Sequence, residues 1–170
     1  MNERERGQLQ GELAAEREAL LAVVSGVDEQ ALTWPTRNPE WAVRDVLAHV
    51  LASDADLISL VEGAGLPSTT PLWGRSLEEH QQEMARWADA TPQMFAQQLQ
   101  ERSDRWRELL AALPGSAFVI PAAVYWAGGV RTLADVVADW RGHDRQHAED
   151  VRLALAHGRA NPSERPRKSL

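Results

Sequence analysis

The feature that most constrains the fold of this chain is its punctuation. Long stretches carry apolar residues every three or four positions, and each is bounded by helix caps, prolines or glycines. A first helix is expected from Glu3 to Ser25, with Leu9, Leu13, Leu20 and Val24 on one stripe and Gly26 breaking it. In "TWPTRNPEW", Asn38 is the expected N-cap and Pro39 the first residue of a second helix. That helix runs to Glu62, where "GAGLPSTTP" stops it. Ser76 and Glu79 form a capping box for a shorter helix to Asp89. Thr91 and Pro92 begin a third long helix carrying Phe95, Leu99, Trp106, Leu109 and Leu113. "LPGSAFVIPAAVYWAGGV" is apolar but too interrupted by Gly and Pro for a long helix. Thr132 with Asp135 caps a last helix that ends near His157, before Gly158. No segment reads as a clear strand. The expected fold is all-α, an up-and-down four-helix bundle with an extra short helix. Residues 1–160 are expected to form one domain and 161–170 a flexible tail.

Composition narrows the partners. At 170 residues the chain has room for one sizeable core. A net charge of −7 argues against a nucleic-acid-binding surface, and the only concentrated basic stretch is the tail "RANPSERPRKSL". The absence of cysteine excludes disulfides, thiolate metal sites and a cysteine nucleophile. The N-terminal "MNERERGQLQ" lacks the apolar segment of a signal peptide. No apolar run approaches the roughly eighteen residues of a membrane span. A cytoplasmic protein without a membrane partner is expected.

The histidines are arranged unusually. His143 and His147 stand four apart in "WRGHDRQHAED", and His49 opens "HVLASDADLISLVEG". At about 100° per residue, His143 and His147 lie about 40° apart, in an apolar stripe with Val136, Trp140, Val151 and Ala154. Asp139, Gln146 and Asp150 line one edge of that stripe. His49 lies at the edge of its own helix's apolar arc, with Asp45 and Asp56 on the polar side. His49 and His143 each come eleven residues after the expected cap. If the second and fourth long helices run parallel, both sit about 16 Å into the bundle, and three imidazoles converge. A divalent ion would satisfy three ring nitrogens together, with carboxylates accepting the remaining N–H groups. Core histidines bonded to carboxylates satisfy the same pattern without an ion. The "DRQ" between the pair lacks the glutamate base of H-E-x-x-H helices. His80, on a polar helix, and His157, in a last turn, read as bland.

Two segments carry a resemblance. "WAVRDVLAHVLASDADLI" resembles the second-helix motif of the DinB/YfiT-like metalloenzymes, a superfamily related to the N-terminal domains of mycothiol-dependent maleylpyruvate isomerases. "RTLADVVADWRGHDRQHAEDVRLAL" resembles their fourth helix, with its H-x-x-x-H. The resemblance implies a four-helix bundle with a three-histidine metal site, carried over onto His49, His143 and His147. It also implies a homodimer, with the tryptophans as interface material.

Three nitrogen ligands leave coordination positions open, as in catalytic rather than structural sites. The function that follows from the resemblance is a metal-dependent enzyme, a thiol-dependent S-transferase acting on small electrophiles. The alternatives are a metal-dependent hydrolase, or a non-catalytic resistance protein that binds a metal or small molecule. Zinc or nickel leads as the ion, then iron or manganese. With no cysteine in the chain, a low-molecular-weight thiol would arrive as a second substrate. Asp45, Asp56, Asp139 and Asp150 are the candidates for orienting a ligand or acting as a base.

Overall fold

In the computed structural model, which describes residues 2–66 and 71–160, the apolar stripes become α-helices. α1 (Glu3–Val24) starts at a capping box, in which Asn2 Oδ1 accepts from Glu5 N and Glu5 accepts from Asn2 N. Its buried stripe is Leu9, Leu13, Arg17, Leu20 and Val24. α2 (Val43–Ala64) buries fourteen of its 22 residues, which makes it the central helix. α3 (Leu77–Ala85) starts at the Ser76–Glu79 box, and α4 (Pro92–Ala112) at Thr91, whose side chain accepts from Met94 N. α5 (Leu133–Ala138) and α6 (His143–Ala160) complete the set.

Three local expectations are corrected. Asn38 does not cap α2. Its side chain accepts from Glu40 N in a turn, while Thr36 N bonds Trp41 O and Val43 N bonds Trp34 O. That narrow bridge holds the chain extended until Val43, where Asp45 accepts from Ala42 N. The last helix is also broken. The Thr132–Asp135 box forms, but α5 lasts six residues and the chain turns through Gly142 at φ 82° before α6 begins. Only glycine adopts that conformation cheaply. Finally, short strands exist where none was expected. β2 (Pro121–Ala123) pairs in parallel with β1 (Leu72–Trp73) and antiparallel with β3 (Val130–Thr132). Proline and glycine keep these segments out of helices, so their backbone groups pair across a small sheet instead.

Side-chain contacts fix the directions of the long helices. Arg6 donates to Leu113 O and Arg17 to Leu99 O, so α1 and α4 are antiparallel. Glu12 pairs with Arg141 and Arg159 reaches Gly26 O, so α1 and α6 are parallel. Arg44 donates to Ala90 O and Arg105 pairs with Glu62, so α2 and α4 are parallel. Arg37 pairs with Asp150 while His49 meets His143, so α2 and α6 are antiparallel. The crossover through α3 carries the chain back before α4 starts. The premise that His49 and His143 share a level on parallel helices is therefore replaced. They meet across antiparallel helices, and His143 opens a helix instead of lying deep within one.

The bundle's core has two apolar parts. One gathers Leu20, Val24, Leu47, Leu51, Phe95 and Val151, the other Leu13, Leu57, Leu60, Trp106, Leu110 and Val136. Between them, in sequence position on all four long helices, lie the buried polar residues Arg17, Asp54, Ser103 and Asp144. Arg17 donates to both oxygens of Asp54 at 2.7 and 2.8 Å, to Asp144 Oδ2 at 2.5 Å and to Leu99 O at 3.0 Å. One guanidinium thus ties all four helices. The tryptophans pack mostly inward: Trp34 and Trp106 are buried, and only Trp73, at 75% exposure, is a large exposed indole. They offer less to an interface than their number suggests. No helix among the described residues is long and apolar enough to cross a membrane. The expected tail, 161–170, lies outside the described residues.

Candidate metal centre

α2 contributes His49 and the first two turns of α6 contribute His143 and His147. Each offers a ring nitrogen, and these three atoms lie within 4.8 Å of one another. His143 Nε2 is 3.4 Å from His49 Nε2, and the His143 and His147 rings are 4.6 Å apart between centroids. No fourth carboxylate or imidazole joins the cluster among the described residues. The turn at Gly142 matters here, because it sets the first turn of α6 against α2.

The surroundings suit an ion. Burial, then the neighbouring imidazoles His143, His147 and His80, lowers the pKa of His49 to about 2. Burial and His143 lower that of His147 to about 4, against the pull of Asp150 and Asp144. Both rings are thus neutral at physiological pH, the state in which imidazole binds a metal. Each ring also has an acceptor behind it. His143 Nδ1 lies 3.5 Å from Asp144 Oδ1 and His147 Nδ1 lies 3.4 Å from Asp150 Oδ2. The latter is close in distance but not aligned as a hydrogen bond, and His147 Nδ1 is otherwise without a partner. His49 Nδ1 faces His80 Nε2 at 3.1 Å. Packed three together with their outer nitrogens turned to acceptors, these rings are able to hold one divalent ion.

His80, bland in its polar sequence context, belongs to the same cluster of rings. It is 4% exposed, and its Nδ1 lies 2.7 Å from Asp56 Oδ2. Tyr125 points its hydroxyl at the same oxygen at 3.5 Å, and Arg75 lies 3.5 Å from Asp56 Oδ1. Burial and the Asp56 carboxylate raise the pKa of Tyr125, which keeps the phenol protonated as a donor. The other candidate carboxylates are engaged elsewhere as well. Asp45 belongs to the start of α2, where it accepts from Ala42 N. Asp139 pairs with Arg131, and Asp150 with Arg37. A cavity of about 230 Å³ opens against the rings, lined by His49, Ser53, Asp56, Tyr125, Trp126, Asp139, Trp140 and His143. Trp126 and Trp140 meet edge to face at 5.2 Å and give it an aromatic wall.

The family model described as DinB superfamily matches residues 12–151. The chain belongs to the DinB superfamily. Solved structures agree on the fold. YfiT from Bacillus subtilis, described as a probable metal-dependent hydrolase with an unusual four-helix bundle topology, superposes with a TM-score of 0.76. Its identity is 20%, over 92% of this chain and 89% of its own. A mycothiol-dependent maleylpyruvate isomerase superposes with a TM-score of 0.75 at 16% identity, over 86% of this chain. This DinB-superfamily chain spans only 60% of that isomerase. The sibling lethal factor precursor DfsB matches with a TM-score of 0.66 at 16% identity, over 91% of this chain and 96% of its own. No curated protein matches the sequence.

Proposed function

We propose that the chain is a metal-dependent enzyme that transfers a low-molecular-weight thiol to a small electrophile. In this reading His49, His143 and His147 hold one divalent ion. The observation that carries it is the place of the cavity, which lies directly against His49 and His143. His49 and His143 would bind through Nε2, the nitrogens that face each other, and His147 through the nitrogen turned from Asp150. Zinc or nickel suits such a donor set, with iron or manganese next. A divalent ion there supplies a Lewis acid that favours thiolate over thiol, or hydroxide over water, near neutral pH.

The chain's own residues do the remaining work. Tyr125, Trp126 and Trp140 exclude water and offer flat apolar faces to the electrophile. Asp56 and Asp139 line the cavity, but each is already close to an arginine, which suits orienting a partner better than removing a proton. The chain has no cysteine, so the sulfur arrives on a second substrate. During transfer a bond forms from sulfur to the electrophilic carbon. The leaving group departs with its electron pair, and the thiol proton passes to solvent.

Hydrolysis of an ester, amide or strained ring in the same cavity is the second reading. The likeness to YfiT, which spans nearly all of both chains, favours it. Elemental analysis of untagged protein is expected to give about one ion per chain, as a single site requires. The His147→Ala protein should lose most of it, and His157→Ala should not. Metal-loaded protein is then incubated with monochlorobimane and, in turn, mycothiol, bacillithiol, glutathione and cysteine, with His147→Ala as blank. Metal-dependent conjugation above the blank supports transfer. Cleavage of esters or amides without conjugation replaces it by hydrolysis, and stoichiometric binding without turnover defeats both.

A further inference from the structure

We propose that His80 and Asp56 are positioning residues for His49, forming a hydrogen-bonded chain that fixes which of its nitrogens faces the ion. This rests on the metal-centre reading above. Asp56 Oδ2, 1% exposed as a residue, lies 2.7 Å from His80 Nδ1, and His80 Nε2 lies 3.1 Å from His49 Nδ1. The proton positions follow from the partners. A carboxylate accepts only, so His80 carries its proton on Nδ1 and donates it to Asp56. His80 Nε2 is then an acceptor, which is satisfied when His49 carries its proton on Nδ1. That tautomer leaves the His49 Nε2 lone pair bare, on the side where His143 Nε2 stands 3.4 Å away.

The chain is held from several sides. Tyr125 packs against His80 at 5.6 Å between ring centroids and points its hydroxyl at Asp56. Arg75 flanks the other oxygen of Asp56, and Trp41 packs on His49 at 5.1 Å. His80 also sits on α3, the element with which the crossover covers α2. His143 and His147 have a carboxylate only at 3.5 and 3.4 Å, so His49 is the ring whose outer nitrogen is most firmly engaged. Metal-binding histidines commonly gain both orientation and basicity from such a partner. Here a second imidazole stands between the ligand and the carboxylate.

Two substitutions separate positioning from packing. Gln at position 80 supplies an acceptor oxygen for His49 and a donor N–H for Asp56, whereas Phe keeps the ring's bulk and supplies neither. Zinc affinity of the purified full chain is measured by competition with a chromophoric chelator. His80→Phe is expected to weaken it by about 10- to 100-fold. His80→Gln should stay within roughly threefold, since both hydrogen bonds are replaced. In parallel, ¹⁵N-histidine spectra of the unchanged, metal-free protein should show His49 protonated at Nδ1 and bare at Nε2. Equal zinc affinity in His80→Phe, an equal loss in His80→Gln, or a proton on His49 Nε2 each overturns the proposal. If His80→Phe does not fold, the glutamine variant and the tautomer decide. Failure of the unchanged protein to bind zinc would defeat the metal-centre reading instead, while the His49 tautomer still tests the chain.

Discussion

At the scale of single residues, Arg17 is the most exposed to loss by substitution. Burial works against its charge, yet Asp54 and Asp144 outweigh that and push its pKa up. Replacing it by leucine keeps apolar bulk but leaves two carboxylates buried without their counter-ion. Removing one partner of a buried ion pair costs about 3–5 kcal/mol. Arg17→Leu should therefore lower the urea midpoint strongly, and an unchanged midpoint would reject the account. Arg17 was not legible in the sequence as a hub, because its partners lie 37 and 127 residues away. The His143–His147 pair was legible, since one helical turn suffices to bring them together. His80 was not, because "LEEHQQEMARW" reads as polar. Its one local signal is Met84 and Trp87, four and seven positions on and packed on the core.

At the scale of elements, α6 approaches the loop before α2 more closely than any other side chain than glycine permits. A Cβ on Gly158 would lie 2.4 Å from ring carbons of Trp34, itself 4% exposed. Alanine normally stabilises a helix interior over glycine by about 1 kcal/mol. Overpacking costs about 1–3 kcal/mol and should win, because the backbone bonds around Trp34 fix its loop. Gly158→Ala is expected to lower Tm, and to recover part of the loss when combined with Trp34→Phe. A Gly158→Ala protein that melts higher would contradict this packing. The sequence showed Gly158 only as a helix stop. Likewise Gly142 is hidden as a break, because the Thr132 capping box upstream and the apolar stripe beyond it fit one continuous helix. The strands have two or three residues each, too short for alternation to be read.

At the scale of the molecule, the helical class was readable from periodicity, but helix directions depend on how the long connections cross, which no local pattern records. The buried imidazoles give the whole fold a pH dependence. The pKa values of His49 and His147, about 2 and about 4, lie below the ordinary value near about 6.5. The unfolded chain therefore takes up these protons first as pH falls. Stability from these groups is complete above about 6.5 and lost below it, by up to about 1.4 kcal/mol per pH unit for each ring. Metal-free protein should melt progressively lower from pH 6.5 to 4.5, and a constant or rising Tm over that range would refute the sign. The layer of Arg17, Asp54, Ser103 and Asp144 carries a further consequence. Each apolar half has its own hydrophobic contacts, and what joins them across the layer is largely electrostatic and directional. In the Arg17→Leu protein, amide exchange should then separate into two cooperative groups, one at Val43–Leu51 and one at Leu57–Ala64 of the same helix. Their opening energies should merge in intact protein and split once Arg17 is replaced, so that the bundle breathes as two halves hinged at its middle.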